Sequence, residues 1–263
     1  MSEKQNAYLK AMDIDVWIER TPSVLAEKTQ SAEPIPVPVQ SEPAQPVSEI
    51  IPEAEPEVKV NIEALDWQDL QSAVAECESC ELSQVRSKTI FGSGNQVASL
   101  MIIGDAPNAE DEQQGDPFAG QAGKLLTAML KAMGYQRNDV YISTLVKCRT
   151  PENQDPSIEQ VAACEKYLIR QIELVKPDLI LALGSITAQR LLKSKSTMSR
   201  LRGQLHYLDN INVPIIVSFE PAYLLRSPNE KRKAWEDLQM AMKALSDVNA
   251  SSEVSALDKG KNS

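Results

Sequence analysis

The stretch DLILALGSITAQRLL, residues 178–192, joins an uninterrupted apolar run to a helical pattern through Gly184. An apolar run without polar alternation predicts a strand that is buried on both faces, as in a parallel sheet covered by helices on each side. Glycine allows the sharp turn at which such a strand ends and a helix begins. The stretch therefore predicts one strand-to-helix step of an α/β fold.

Other segments repeat this pattern along the chain. The further apolar runs are SLMII (99–103), VYISTLV (140–146) and VPIIVSF (213–219). Helical patterns cover about 64–76, 121–134, 157–175 and 229–246. The third of these helices begins with SIEQ, which has the spacing of a capping box, and Gly134 is placed to end the second. Together they predict a three-layer α/β/α sandwich with a central four-stranded parallel sheet.

Composition divides the 263-residue chain into segments. Residues 21–60 contain half of the 16 prolines, and residues 1–60 carry 5 Lys or Arg against 11 Asp or Glu. Such a composition cannot bury enough apolar surface to offset the chain entropy, so it predicts a disordered, Pro-rich, acidic linker at 21–60. A folded domain is predicted over 61–247 and a disordered tail over 248–263.

The net charge of −10 excludes a protein that coats DNA through general basicity, so any nucleic-acid contact must come from local patches such as Lys147 with Arg149. No apolar run approaches the roughly 20 residues that span a bilayer, and the N-terminus lacks the apolar core of a secretory signal. We therefore expect a cytoplasmic protein without membrane contact, in which cysteines are reduced thiols or metal ligands.

An apolar segment, NAYLKAMDIDVWIER (6–20), precedes the linker. It is too short to fold alone, and its Leu9, Ile14 and Trp17 are typical of a peptide that docks on a partner. We assign residues 1–20 as a docking segment. The segment resembles the N-terminal peptide of the psi subunit of bacterial DNA polymerase III, which implies a chi-like replication protein as its partner.

The four cysteines of the chain are Cys77, Cys80, Cys148 and Cys164. Their spacing is C-x2-C, then 67 residues, then C-x15-C. The first pair offers two thiolates to one metal centre, whereas the wide second pair differs from the repeated knuckle of a zinc ribbon. From the spacing alone, an iron–sulfur cluster, a zinc site and ordinary buried thiols all remain open.

The loop after the first apolar run, GDAPNAEDEQQGDPFAGQAGKLL (104–126), is similar to the first motif of the family 4, iron–sulfur uracil-DNA glycosylases. The similarity continues through residues 140–156, 159–192 and PAYLLR (221–226), and covers roughly 65–246. It implies the uracil-DNA glycosylase fold and a DNA partner that is uracil-containing or single-stranded. It also implies that all four cysteines bind a structural 4Fe-4S cluster.

The resemblance further assigns roles to individual residues. Asp105 would position the water or the sugar, and Gly104 and Phe118 would form the base pocket, with the ring stacked on the flipped base. Thr144 and Asn153 would contact the base or the strand. The residues implied to enter or hold the duplex are Leu224 and Arg226.

Several polar positions depart from the family pattern. Asp105 replaces a glutamate, Thr144 replaces the amide that reads the uracil edge, and Glu220 occupies the place of the family's histidine. An ionised carboxylate about 4 Å from the developing uracil anion would repel it by about 4 kcal/mol at an effective dielectric constant of about 20. A loss of that size slows a reaction about a thousandfold, and only a protonated Glu220 would avoid it.

Besides a sequence-tolerant DNA-binding module, two functions therefore remain open at this point. The first is an N-glycosyl hydrolase for DNA repair, with a substituted pocket, Asp105 and Glu220 at the catalytic positions, and weak activity. The second is a noncatalytic replication adaptor that uses the same fold as a scaffold and recruits a partner through residues 6–20.

Overall fold

The structure is a computed structural model that describes residues 61–208 and 211–259. The predicted docking segment (1–20), with Leu9, Ile14 and Trp17, and the predicted linker (21–60) lie outside the described residues. Both assignments, and the chi-like partner, stay predictions.

The described residues form one mixed sheet. Its strands are β1 (Ser93–Gly94), β2 (Leu100–Gly104), β3 (Tyr141–Thr144), β4 (Leu179–Leu183), β5 (Leu205–Tyr207) and β6 (Pro214–Ser218). They are ordered β1-β3-β2-β4-β6-β5. The central strands β3, β2, β4 and β6 are all parallel, whereas β1 and β5 pair antiparallel at the two edges.

The predicted α/β class and the four central parallel strands are confirmed, and two short edge strands are present in addition to the prediction. The sheet has six strands in the described part of the chain, because β1 and β5 extend its edges. These edge strands have two and three residues, and none of their side chains is fully buried. Strands so short and exposed carry no apolar run, so the sequence pattern could not reveal them.

Helices cover both faces of this sheet. In the described residues the α-helices are α1 (Trp67–Ala75), α2 (Leu82–Val85), α3 (Ala109–Gln114), α4 (Gly120–Ala132), α5 (Ile158–Val175), α6 (Ser185–Leu191), α7 (Met198–Leu201), α8 (Pro221–Arg226) and α9 (Lys231–Lys259). Short 3₁₀ turns occupy Ile62–Ala64, Arg137–Asp139, Pro151–Asn153 and Pro228–Glu230. None of the described helices is long and apolar enough to cross a membrane.

The predicted helix signals act as expected. Ser157 accepts a hydrogen bond from the backbone N–H of Gln160, and the Gln160 side chain accepts one from the Ser157 N–H, which completes the capping box of α5. Gly134 follows the end of α4 with φ of 88°, a left-handed conformation that glycine adopts without a steric cost.

The C-terminal helix is longer than the sequence predicted. Helix α9 continues to Lys259, so residues 248–259 of the predicted disordered tail are helical in the structure. Between residues 231 and 259 there is neither proline nor glycine, so no residue interrupts the helix once it has begun. The polar composition of this segment suggested disorder and concealed its continuity with the preceding helix.

The core consists of two apolar layers, one on each face of the sheet. Along β2, Met101 and Ile103 pack into the layer that contains α1 and α5, whereas Leu100 and Ile102 pack into the layer that contains α4 and α9. This alternation follows from the strand geometry, in which successive side chains point to opposite faces. Both faces of the central strands are therefore buried, as the continuous apolar runs indicated.

Asp237 of α9 attaches this helix both to Arg202, which follows α7, and to the end of β6. Asp237 is fully buried, lies 2.9 Å from Nη2 of Arg202, and accepts a hydrogen bond of 3.0 Å from the Ser218 hydroxyl. Ser218 is the last residue of β6, two positions before Glu220. The hydrogen bond to Ser218 therefore fixes the segment from which Glu220 projects.

The substitution Asp237→Ala should destabilise the domain by about 3 kcal/mol, because it leaves the Arg202 guanidinium without its buried partner. Glu236→Ala is the matched control: its carboxylate lies 3.6 Å from the same guanidinium but its side chain is half exposed. That variant should lose less than about 1 kcal/mol. Urea unfolding of the three proteins measures the difference, and equal losses in both variants would contradict the role given to Asp237.

Candidate active site

A cavity of about 300 Å³ opens at the carboxyl ends of the parallel strands. Open α/β sheets place their ligand sites at this edge, because the loops that leave neighbouring strands converge there. The predicted residues that line the cavity are Asp105, Phe118, Thr144, Asn153, Glu220 and Arg226. They come from the loops after β2, β3 and β6, and from α8, so the fold brings distant segments of the chain together.

The aromatic ring of the cavity packs directly against the end of β2. A Cβ atom added to Gly104 would collide with Cζ of Phe118, so a larger residue there would displace the ring. Phe118 itself is buried and has a φ of 54°, which few side-chain-bearing residues adopt. The close approach of Gly104 therefore holds the ring as one wall of the cavity.

The loop between Gly104 and Phe118 is held by its own polar side chains. Asn108 accepts hydrogen bonds from the backbone N–H groups of Glu110 and Asp111 and thereby caps α3. The Asp111 carboxylate accepts from the N–H groups of Asn108 (3.0 Å) and Ala119 (2.6 Å). Asn108 thus contributes the helix cap of this loop.

Asp105 is held in place by the start of α6. Its Oδ1 accepts hydrogen bonds from both the backbone N–H (2.7 Å) and the hydroxyl of Thr187. Gly184 makes room for the carboxylate, since a Cβ atom there would lie 2.9 Å from Oδ2 of Asp105. Burial raises the pKa of Asp105 to about 6, although the two bonds from Thr187 oppose the shift. Asp105 is therefore ionised at neutral pH but close to its titration.

Glu220 stands at the N-terminal end of α8 and makes no capping hydrogen bond. Burial, and next the Asp105 carboxylate, raise the pKa of Glu220 to about 7. Asp155 and Asp111 add to the rise, and the guanidinium of Arg226 opposes it. Below pH 7 the group is thus mainly a neutral acid that can donate a hydrogen bond.

The Thr144 hydroxyl has a defined direction. Its Oγ1 donates to the carbonyl oxygen of Val146 at 2.8 Å, so the hydroxyl oxygen is left to accept from a ligand. Asn153 lies on the loop that follows β3, where its Oδ1 accepts from Nε of Arg149 at 3.3 Å. Its amide nitrogen can then serve as a donor. The two residues together offer one acceptor and one donor to the cavity.

The prediction that Leu224 enters DNA is wrong. Its side chain is 1% exposed and packs in the core layer beside α4 and α9. The short helix α8 turns this leucine inward and leaves its neighbours outward, with Tyr223 37% and Leu225 43% exposed. Arg226, predicted for the same role, does line the cavity.

The prediction of a basic surface patch at Lys147 is also wrong. Lys147 is 1% exposed, and its ammonium donates to the hydroxyl of Ser143 and the side-chain oxygen of Gln171, both at 2.6 Å, and to the carbonyl of Thr144 at 3.0 Å. A charged residue at the end of an apolar strand resembles a surface residue in sequence. Only the tertiary structure shows that its partners are inside.

Sequence reasoning missed two polar residues of the site. Asp155 lines the cavity and raises the pKa of Glu220, and Thr187 orients Asp105. Asp155 lies two residues after Asn153 in the same polar loop, which was a usable signal. Thr187 had none, because its role depends on the contact between the loops after β2 and β4.

The four cysteines, predicted as metal ligands, line a second cavity together. Cys77 and Cys80 lie between α1 and α2, Cys148 follows β3, and Cys164 is in α5. All four are free thiols. Within the described residues, no group of three or more His, Cys, Asp or Glu side chains is arranged around a single metal ion.

Nitrogen donors point at two of these sulfur atoms. Nη1 of Arg86 lies 3.2 Å from Sγ of Cys148, and the backbone N–H of Ser79 lies 3.5 Å from Sγ of Cys77. Such donors stabilise negative charge on sulfur. Burial alone would raise the pKa of Cys77, but the bonds from Ser79 hold it below its ordinary value, whereas burial raises the pKa of Cys148 and raises that of Cys164 to about 11.

Comparisons with known proteins identify the family of this chain. The family model for the uracil DNA glycosylase superfamily matches residues 91–239. The type-4 uracil-DNA glycosylase of Archaeoglobus fulgidus is 35% identical over 184 residues, which cover 68% of this chain and 92% of the relative. The type-4 enzyme of Thermotoga maritima is 38% identical over 172 residues, 64% of this chain and 88% of the relative. The family resemblance of the motifs is thereby confirmed, and the chain belongs to the uracil DNA glycosylase superfamily.

Proposed function

We propose that this protein excises uracil from DNA by hydrolysing the N-glycosidic bond, with the acid form of Glu220 as the hydrogen-bond donor. One observation carries the proposal: a stacking ring, polar groups for a base edge and two carboxyls with raised pKa values share one cavity. Similarity to type-4 uracil-DNA glycosylases supports the choice of uracil as the base.

The cavity suits a flipped base. Enzymes that act on a base extrude it from the stack into a pocket, where it stacks on an aromatic ring and is read along its edge. Phe118 supplies the ring. The Thr144 oxygen can accept from N3–H of uracil, because its own proton is donated to Val146. Asn153 can donate to a carbonyl oxygen of the base.

Cleavage of the bond between C1′ and N1 leaves its electron pair on uracil, with negative charge at O2. A donor placed at that oxygen stabilises the charge as it forms. Protonated Glu220 can donate there, and an ionised Glu220 would repel the charge. Water then adds to C1′, and Oδ2 of Asp105 can orient it and accept its proton, since both bonds from Thr187 fall on Oδ1.

The two carboxyls must be in opposite states for this chemistry. Asp105 has to be ionised, which requires a pH above its pKa of about 6, and Glu220 has to be protonated, which requires a pH below its pKa of about 7. The competent form therefore dominates between these values. Arg226 stabilises the ionised form of Glu220 and so limits the rise in its pKa, whereas Asp155 and Asp111 raise that pKa further.

Single-turnover excision from a uracil-containing oligonucleotide should follow a bell-shaped pH profile with its maximum between about pH 6 and pH 7. Well above pH 7 the rate should fall about tenfold per pH unit, as Glu220 loses its proton. Single-stranded and U:G-paired substrates should give the same acid and alkaline limbs of the profile, because both limbs reflect the ionisation of protein side chains.

Two variants serve as controls for this profile. Glu220→Gln keeps a neutral donor at every pH and should remove the alkaline limb. Glu220→His restores the residue of the family pattern and should preserve or raise the rate near pH 7. Excision that is absent from all three proteins, with DNA binding retained, would contradict an enzymatic role and leave the noncatalytic scaffold as the function.

We also propose that the four cysteines hold a 4Fe-4S cluster, which would act as a structural cross-link. Four thiols around one cavity fit this group, because each thiolate binds a different iron and no three have to converge on one ion. Arg86 and the Ser79 N–H donate to the sulfurs, and the buried Lys147 ammonium adds positive charge beside Cys148 and Cys164. These groups would balance an anionic cluster.

Anaerobically purified protein should contain about four irons and four sulfides per chain and show the visible absorbance of an iron–sulfur cluster. Cys148→Ser should lose most of this iron and lower the thermal unfolding midpoint, whereas Ser72→Ala, at an exposed position of the neighbouring α1, should keep it. One zinc per chain in a colourless protein would show that the zinc interpretation is correct instead.

A further inference from the structure

Another cavity, of about 330 Å³ and distinct from the cysteine cavity, adjoins the base pocket. The two cavities share the side chains of Asp105, Asp155, Glu220 and Arg226 as lining residues, so they are compartments of one continuous depression. The second compartment lies at the start of α6 and along α8. Its volume is similar to that of the base pocket, which is sufficient for a second nucleobase.

An aromatic pair forms one side of this second compartment. The rings of Phe219 and Tyr223 are stacked, with centroids 5.4 Å apart and planes inclined by 22°. The Arg202 guanidinium lies 5.6 Å from the Phe219 ring and is itself fixed by Asp237. The Phe219 ring thus contacts both the Tyr223 ring and the fixed Arg202 guanidinium. The Tyr223 ring is partly exposed and is available for stacking.

The charges of this compartment select a base over a phosphate. Two of its lining residues, Asp105 and Asp155, carry carboxylates that would repel a phosphate held inside. Arg226 lines both compartments and supplies a positive charge where they meet. A strand that placed one base in each compartment would bring the phosphate between them towards this arginine.

We propose that the second compartment binds the base next to the uridine on the same strand, stacked on Tyr223, with Arg226 paired to the phosphate between the two nucleotides. This inference rests on the proposed function, which identifies the first base as uracil. It goes further in that the protein removes two successive bases from the helical stack. Because both bases must then be unpaired, single-stranded DNA is the preferred substrate over a duplex.

The test is a coupling measurement between Tyr223 and the neighbouring base. The probe is a fluorescent single-stranded oligonucleotide with one 2′-fluoroarabino-uridine, whose glycosidic bond resists hydrolysis. Two further oligonucleotides lack the base on the 5′ or on the 3′ side of that uridine. Affinity is measured by fluorescence anisotropy at pH 6.5, so excision is not needed for the readout.

With the complete oligonucleotide, Tyr223→Ala should bind about tenfold more weakly, because stacking on an aromatic side chain contributes a factor of this order. Tyr223→Leu, which remains apolar without a ring, should lose as much, and Tyr223→Phe should keep the affinity. When the base on one side of the uridine is missing, Tyr223→Ala should no longer weaken binding. Trp235→Ala is the matched control, since Trp235 is 38% exposed but lines neither compartment.

If Tyr223→Ala loses the same factor of affinity for all three oligonucleotides, the proposal is overturned. Unchanged affinity of Tyr223→Leu for the complete oligonucleotide would also overturn it. A loss in Trp235→Ala as large as that in Tyr223→Ala would also overturn it, because the effect would not be specific to the compartment. Coupling to one neighbour without excision of ordinary uracil would instead support the two-base site and refute only the proposed hydrolysis.

Discussion

The parallel alignment of the four central strands is the constraint on which the rest of this structure depends. Because β3, β2, β4 and β6 run in one direction, their carboxyl ends meet at one edge, and the loops that follow them share a cavity. Asp105, Thr144 and Glu220 are far apart in sequence and adjacent there. An antiparallel insertion within the four strands would have separated them, and the two antiparallel strands lie only at the margins.

The electrostatic character of the site follows from the crowding of acids at this edge. Burial raises the pKa values of both Asp105 and Glu220 into the range near neutrality, and a neighbouring carboxylate adds to each rise, Asp155 to that of Asp105 and Asp105 to that of Glu220. Their different contacts keep the two values apart: the Thr187 bonds favour the ionised form of Asp105, and Glu220 has no comparable donor. Such a divergence allows two identical functional groups to act as acid and base in one pocket.

The cysteine cavity and the base pocket are linked through β3. Thr144 ends this strand at the base pocket, and Cys148 follows the strand at the cavity lined by the four cysteines. The buried Lys147 lies between them and donates to the carbonyl of Thr144. A group bound by the four cysteines would therefore fix the end of β3 with Thr144 and the following loop with Asn153. This is a structural reason for such a group to lie beside a site whose polar side chains must be held in place.

The sequence by itself determined the α/β class, the four buried strands and the helix signals at Ser157 and Gly134, because these depend on periodicity and local hydrogen bonds. It also determined the family, through motifs whose spacing reflects one fold. The tertiary structure alone decided the edge strands, the burial of Leu224 and Lys147, and the pairing of Asp105 with Thr187. Each of these depends on contacts between distant segments. Burial fixes which face of a short helix is hidden, and the hydrogen bonds from Thr187 to Asp105, invisible in sequence, make Asp105 ionise before Glu220.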